Sequence, residues 1–380
     1  MRPLTVMQLL PSLDSGGVER STLEIADALV REGHRAMVVS AGGRLLPQLL
    51  ASGAEHAVLD IGRKSLWTLR QIAPLRELIR REQVDIVHAR SRLPAWLAVL
   101  ALHGLPATAR PRLVTTVHGL NSPSRYSAVM TRGARVICVS DTVRRYVLRH
   151  YPRTPPGKLR VVPRGIDSAD FPPAPSPDRQ ARAWAAQQHP ALGGDGPLLL
   201  LPGRGTRLKG HADAVALLAA VRGAGLDARL WLPGSRESGR EAYVAELEKL
   251  AGTLGVAGAL AFTAPTSAIA RAYAASDLVL QLSRKPEAFG RTVVEALSVG
   301  RGVLGWNHGG VGELLRELQP AGAVQPFDAA QLSSTAIAML ARPSSASTPE
   351  VPLSIPYTLQ AMQRATLSVY AELADESDCA

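Results

Sequence analysis

The chain has 380 residues, more than one ordinary hydrophobic core accommodates, so two domains of common size are expected. With 46% hydrophobic and 20% charged residues it has globular composition, which excludes the disordered class. The charge is lopsided: residues 1–175 hold 25 Lys and Arg against 13 Asp and Glu, whereas residues 176–380 hold 18 against 19. A bias confined to one half suggests that this half faces something anionic, but only 4% of residues are aromatic and none are interleaved for base stacking, which argues against nucleic acid.

Short apolar, β-branched runs at 6–10, 36–40, 84–88, 113–117 and 135–139 read as buried parallel strands, with helix-period segments at 18–31, 66–81 and 141–150 between them. The second half repeats the scheme, with strands at 197–201, 229–232, 259–262, 278–282 and 302–305. Helices are expected there at about 211–222, 240–253, 267–274, 292–298 and 311–318. Such alternation implies an α/β protein with parallel sheets covered on both faces. The Pro-rich stretch 169–178 reads as a linker between a first domain at 1–168 and a second at 179–355. A loose stretch at 342–349 precedes a last helical pattern at about 357–373, and the segment 356–380 is expected to cross back to the first domain. Two doubly wound, Rossmann-like domains are expected to hold their ligand in an inter-domain cleft.

Cys138 sits in an apolar run and reads as a small core residue, far in sequence from Cys379, so neither a disulfide framework nor a metal site is expected. The N-terminal apolar stretch is too short for a signal peptide. The longest apolar stretch, near 95–105, falls below the ~20 residues that span a bilayer. The expected setting is cytoplasmic, with peripheral attachment to the inner face of the inner membrane as an option.

Five strand-to-helix junctions carry the chemistry. Asp14-Ser-Gly-Gly-Val-Glu-Arg20 follows the first strand, and Gly16 and Gly17 let backbone amides approach an anion; a plain tight turn explains the same glycines. His118 and Gly119 close the strand at 113–117, where doubly wound folds place ligands, and a structural histidine is the competing reading. His88 has the same placement. Arg204 and Lys209, within Pro202-Gly-Arg-Gly-Thr-Arg-Leu-Lys-Gly210, bring fixed positive charge beside a helix N-terminus, an arrangement that is unfavourable without an anion such as a diphosphate.

The fourth junction is Lys285-Pro-Glu-Ala-Phe-Gly-Arg-Thr-Val-Val-Glu-Ala296. Gly290 turns the chain after Phe289, and the amides of Arg291, Thr292 and Val293 are expected to face a phosphate. Glu287 before the turn and Glu295 within the helix can accept hydrogen bonds from sugar or ribose hydroxyls. The fifth, Asn307-His-Gly-Gly-Val-Gly-Glu313, again joins a strand to a helix through glycines.

At these residues the sequence resembles the retaining glycosyltransferases of family 4, with the GT-B fold. The resemblance runs through Gly16-Gly-Val-Glu-Arg20, His118-Gly119, Gly165-Ile-Asp167, Gly203-Arg204, Lys209-Gly210, Glu287 to Glu295 and Gly309-Gly-Val-Gly-Glu313. Around residues 15–24 and Arg90-Ser-Arg-Leu-Pro-Ala-Trp96 it is similar to bacterial enzymes of the lipopolysaccharide core. The resemblance implies a nucleotide-diphosphate sugar donor, a UDP-sugar by expectation, with no cofactor and no metal. The cationic first half is expected to receive an anionic, membrane-held glycolipid acceptor of the lipopolysaccharide-core kind. By the same resemblance Arg204 and Lys209 hold the donor diphosphate, aided by Gly290 and the amides of Arg291 and Thr292. Glu287 with the neighbouring Phe289 lies at the donor sugar, Glu295 at the ribose, His118 beside the transferred sugar, and Gly16 and Gly17 border the diphosphate and acceptor. Two positions depart from the family pattern: Arg164 stands where asparagine is usual, and Gly203-Arg-Gly205 with Arg207 replaces Gly-Arg-Leu. A GT-B nucleotide-sugar epimerase, and more remotely a basic nucleic-acid-binding protein, are the alternative readings.

Overall fold

The computed structural model describes residues 2–14, 16–341 and 355–378, so Ser15, Cys379 and the loose stretch at 342–349 lie outside the described residues. The chain divides into two compact units, Met1–Gly165 with Leu359–Ala380, and Ile166–Thr358.

In the first unit the elements run β1 (Thr5–Leu9), α1 (Gly17–Arg31), β2 (Arg35–Ser40), α2 (Leu46–Ala51), β3 (Glu55–Val58), α3 (Ile72–Arg81), β4 (Ile86–Ala89), α4 (Arg92–His103), β5 (Arg112–Val117), β6 (Arg135–Cys138), α5 (Asp141–His150) and β7 (Leu159–Val161). They form a seven-stranded sheet in the order β3-β2-β1-β4-β5-β6-β7, every pairing parallel. The second unit contains α6 (Arg179–Gln188), β8 (Leu198–Leu200), α7 (His211–Gly223), β9 (Arg229–Pro233), α8 (Glu241–Thr253), β10 (Leu260–Thr263), α9 (Ile269–Ala275), β11 (Leu278–Gln281), α10 (Arg291–Ser298), β12 (Gly302–Trp306), α11 (Gly309–Leu318), β13 (Ala323–Val324) and α12 (Ala329–Leu340). Its six strands are again all parallel, in the order β10-β9-β8-β11-β12-β13. A last helix, α13 (Leu359–Asp378), belongs to the first unit.

Each sheet is sandwiched by helices, and its central strands are buried throughout, which is why they read as continuous apolar runs. Met362, Val369, Tyr370 and Leu373 of α13 complete the first core with Leu4, Val6, Leu29 and Val38. The second core is filled by α7, β9, α8 and β12 around Leu218, Leu230, Leu247 and Leu304. Cys138 is buried, and burial pushes its thiol up to about 12, so it behaves as a small core residue.

Two segments differ from the sequence expectation. The helix expected at 66–81 starts at Ile72, because Pro74 has no amide to donate and is tolerated only in a first turn; residues 66–71 form a separate 3-10 turn. The Pro-rich stretch 169–178 is strapped onto the second unit rather than hanging between domains. Phe171 is buried, its carbonyl accepts from the Ser298 hydroxyl at 2.8 Å, and Ala174 N–H donates to the Val299 carbonyl at 3.1 Å. The buried Arg301 guanidinium donates to the carbonyls of Ala174, Pro175 and Ala274, replacing its lost hydration. The chain enters this unit at Ile166 and leaves it at Thr358, and the two residues pair through a parallel bridge.

Glu372 of α13 receives Arg135 at 2.7 Å and also bonds Arg160, and these bonds draw its carboxyl down to about 2 from its ordinary 4.5. A depressed carboxyl contributes stability above its unfolded value that is lost as pH falls through the folded one. Glu372→Gln is therefore expected to lower unfolding free energy near neutrality by about 1 kcal/mol, given partial exposure of the pair, and to flatten the pH dependence between about 4.5 and 2. Denaturant melts across that range check this, and identical curves for both proteins would contradict it.

Candidate functional site

In the second unit the chain winds outward from β8 through α7 to β9 on one side, while β11 and β12 lie on the other. The loops that follow β8 and β11 therefore part at the switch point of the sheet, where open α/β sheets receive ligands. These are the loops that carry Arg204 with Lys209, and Glu287.

Close backbone approaches hold them together. Gly210 adopts φ +78° at the N-terminus of α7, and a Cβ there would strike the carbonyl of Leu282 at the end of β11. Arg284 N–H donates to the Leu208 carbonyl at 2.8 Å. Gly309, at φ +59°, opens α11 so near Glu287 that a Cβ would lie 2.7 Å from the Glu287 carbonyl oxygen. Gly310 N–H donates to that same carbonyl at 2.7 Å. Three junctions, after β8, β11 and β12, thus meet around one residue.

Glu287 is the centre of a polar cluster. Lys209 Nζ donates to its Oε1 at 2.7 Å, and the Ser283 hydroxyl lies 2.5 Å from the same oxygen. Gln281 Nε2 reaches Oε2 at 3.3 Å, and Ser283 lies 3.2 Å from Gln281 Oε1. His308 Nε2 meets the Ser283 carbonyl at 2.8 Å, so that nitrogen carries the proton. Lys209 and Glu287 are both partly exposed, which makes the pair an addressable charge rather than a core ion pair. Arg204 is exposed, and among the described residues its guanidinium has no hydrogen bond or ion pair. It stands on the loop that leads into α7, available to a bidentate anion.

Gly290 caps α10 with a left-handed backbone. Val293 N–H donates back to the Gly290 carbonyl at 2.9 Å, so the expected trio of phosphate-facing amides is reduced to those of Arg291 and Thr292. Phe289 is buried, edge-on to Tyr357 with centroids 5.6 Å apart, and supports the turn rather than presenting its ring. Glu295 is buried, with Tyr273 OH donating to Oε2 and Arg291 Nε to Oε1, each at 2.8 Å. Burial and the Glu295 carboxylate push the Tyr273 phenol well above its usual range, which keeps it a donor.

In the first unit, the switch point lies between β1 and β4. Gly16, at φ 142°, is the N-cap of α1 after β1, and Gly17 is its exposed first residue; the Glu19 side chain folds over Gly16. Beside them Arg90 is buried without a carboxylate partner, bonded to Gln8 Oε1 at 2.5 Å and Ser21 Oγ at 2.6 Å, and burial draws it down to about 10, still charged at neutral pH. His88 is a core residue, held by Tyr370 OH at 2.7 Å and Thr116 Oγ1 at 2.6 Å. That is the structural reading of its strand-end position.

His118, just after β5, receives Arg164 Nη2 on Nδ1 at 2.7 Å. Arginine only donates, so Nδ1 is the acceptor and the proton resides on Nε2. Nε2 is shielded from solvent and has no hydrogen-bond partner among the described residues. Burial, then Arg164, Arg90 and His88, hold the imidazole well below its ordinary range and so neutral. The ring presents one N–H donor.

Sequence reasoning missed Gln281, Ser283, Tyr273 and the Arg164–His118 contact. The first two had a signal, being polar residues at alternate positions of an otherwise apolar run, Leu278-Val-Leu-Gln-Leu-Ser283. Tyr273 had none, because only the packing of α9 on α10 brings it to Glu295. Among the described residues no cluster of His, Cys, Asp or Glu is placed to hold a metal ion, and no helix is long and apolar enough to cross a membrane.

Two parallel-sheet α/β domains with polar, glycine-rich loops at their switch points have the architecture of the GT-B fold. Residues 15–170 match the family model of Glycosyltransferase Family 4, and residues 183–349 match that of Glycosyl transferases group 1, so both halves of the chain belong to glycosyltransferase families. Among solved structures, a glycosyltransferase from Rickettsia africae superposes with TM-score 0.82 and 26% identity over 98% of this chain and 99% of that one. Anabaena Alr3699/HepE, solved in complex with UDP and glucose, gives 0.77 and 20% over 97% and 100%. WaaG, a glycosyltransferase involved in lipopolysaccharide biosynthesis, gives 0.66 and 18% over 98% and 99%. No curated protein sequence matches the chain.

The His118 tautomer is directly measurable. With nitrogen-15-labelled histidine, the resonance assigned by His118→Gln is expected to report neutral imidazole protonated on Nε2 and no titration across the ordinary histidine range. Arg164→Met removes a cation that opposes the imidazolium, so the histidine is expected to titrate at higher pH, towards the usual ~6.5. A wild-type His118 that titrates near that usual value, or one indifferent to Arg164→Met, would refute the assignment.

Proposed function

We propose that the chain is a retaining glycosyltransferase that moves a sugar from a nucleotide-diphosphate sugar, a UDP-sugar, to an anionic, membrane-held glycolipid of the lipopolysaccharide-core kind. The observation that carries the donor half is the cationic loop of Arg204 and Lys209 meeting Glu287 at the switch point of the second unit. Fixed cations at a helix N-terminus bind a diphosphate, and they stabilise the charge that grows on the leaving phosphate as the glycosidic bond breaks. Glu287 orients Lys209 and offers carboxylate oxygens to sugar hydroxyls. The complexes of Alr3699/HepE with UDP and glucose, and with UDP-glucose, support a uridine nucleotide as the donor.

His118, neutral and protonated on Nε2, donates to a sugar oxygen and cannot take up a proton there, so the acceptor proton passes to the departing phosphate. That assignment suits attack from the face the phosphate leaves, with retention of configuration. The acceptor reading rests on the first half of the sequence, where residues 1–175 carry 25 cationic against 13 anionic side chains. WaaG, a glycosyltransferase involved in lipopolysaccharide biosynthesis, and WaaB, a lipopolysaccharide outer core galactosyltransferase, share the fold, which supports that reading.

The test is a panel of nucleotide sugars assayed for nucleoside diphosphate release, with and without detergent-solubilised, phosphorylated lipopolysaccharide core. Release that depends on acceptor, with a product whose anomeric configuration matches the donor, is expected. Epimerised donor formed without acceptor, or an inverted product, would overturn the reading. Arg204→Met and Lys209→Met are each expected to lower kcat/KM by roughly 10²-fold while the protein remains folded.

A further inference from the structure

The segment after β3 presents its side chains inside out. In the 3-10 turn Leu66–Gln71, Leu66 is 86% exposed, Trp67 64% and Leu69 47%, while Thr68 is buried. Local bonds fix this arrangement: Thr68 Oγ1 donates to the Arg63 carbonyl at 2.6 Å, and Trp67 N–H to Ser65 Oγ at 3.2 Å. A turn of this composition in a water-facing loop would ordinarily bury its leucines and tryptophan. The charges within the segment are cationic, and the exposed carboxylates of Asp60 and Glu77 bound it. Residues 61–76 contain Arg63, Lys64, Arg70 and Arg76 and no carboxylate, and the Arg70 guanidinium lies 3.6 Å from the centre of the Trp67 ring.

The turn also has a defined place in the fold. All strands of the sheet are parallel, so the segment after β3 emerges on the same edge as Gly16 after β1 and His118 after β5. Gly62 packs on Pro11, at the end of β1, so closely that a Cβ would lie 2.5 Å from Pro11 Cβ. The exposed turn is thus tied to the edge on which the acceptor is received.

We infer that the Leu66–Gln71 turn is a membrane-docking element, with Leu66, Trp67 and Leu69 entering the interfacial layer of an anionic bilayer and Arg63, Lys64 and Arg70 contacting its headgroups. Tryptophan and leucine beside arginine and lysine match both layers of such a surface, whereas a protein partner would supply carboxylates in a fixed pattern that these flexible cations do not require. The inference rests on the reading of a membrane-held acceptor and names where the membrane is met.

Co-sedimentation with phosphatidylcholine vesicles, with and without phosphatidylglycerol, tests it without glycolipid or donor. Binding is expected only to the anionic vesicles, weakened by salt, with a blue shift of emission that Trp67→Phe removes. The triple variant Leu66→Ser/Trp67→Ser/Leu69→Ser, altered only at exposed positions, is expected to melt normally and to lose at least about tenfold in partitioning. Equal binding of wild type and triple variant overturns the inference, as does failure of wild type to bind. Self-association that the triple variant abolishes overturns it also, assigning the patch to a second copy of the chain. Transfer to solubilised acceptor is read separately on the wild type: a wild type that transfers the sugar but binds no anionic vesicle refutes the docking element and leaves the transferase reading standing.

Discussion

The arrangement of the second unit depends on the carboxylate of Glu287. Lys209 and Ser283 share one of its oxygens, Gln281 reaches the other, and Gly309 and Gly310 pack against its backbone. The contacts come from the ends of three strands, β8, β11 and β12, so this one residue fixes the spacing of three loops that no regular hydrogen-bond ladder connects. Charge-assisted bonds to a partly shielded carboxylate are stronger than their neutral counterparts, and removing either charge leaves the other poorly solvated. Lys209 is thereby set in place, while Arg204 on the same loop is left unrestrained. One cation is pre-positioned and the other adapts, which suits a ligand that carries two phosphoryl groups.

The first unit uses charge differently. Arg90 is buried with Gln8 and Ser21 as its hydrogen-bond partners, and Arg164 donates to a histidine. Burial, reinforced by their positive potential, keeps His118 and His88 neutral, and that potential lies on the side of the sheet where Gly16 and Gly17 open α1. The arginine at position 164, unusual for the family pattern that the sequence resembles, acquires a physical role here: it determines which imidazole nitrogen holds the proton.

Much of this was legible in the sequence, and the limits follow from what sequence patterns encode. Central strands such as β1, β5 and β11 are buried on both faces, so their apolar runs announce them. The edge strands β3, β7 and β13 are short or exposed, and Glu55-His-Ala-Val58 carries no period that distinguishes it from a loop. The helix α4 is apolar on nearly every side and shows no amphipathic period, so Ala95 to Leu102 registers only as an apolar stretch. Glu287, Lys209 and Arg204 are visible because they sit in glycine-punctuated junctions. Glu295 bonds Arg291 four residues earlier on α10, a spacing the sequence does show, whereas its bond to Tyr273 depends on the packing of α9 on α10, which no local pattern records. The Arg164–His118 contact spans 46 residues and is equally silent.

The central claim is that the loop from Gly203 to Gly210, braced by Glu287, is a diphosphate site. Calorimetric titration of UDP, UMP and uridine into the wild type, Arg204→Met and Lys209→Met tests it most directly. Each substitution is expected to weaken UDP by about tenfold or more, roughly 1.4 kcal/mol, with uridine little changed and UMP between them. Equal weakening of all three ligands, or UDP binding unaffected by both substitutions, would contradict the account.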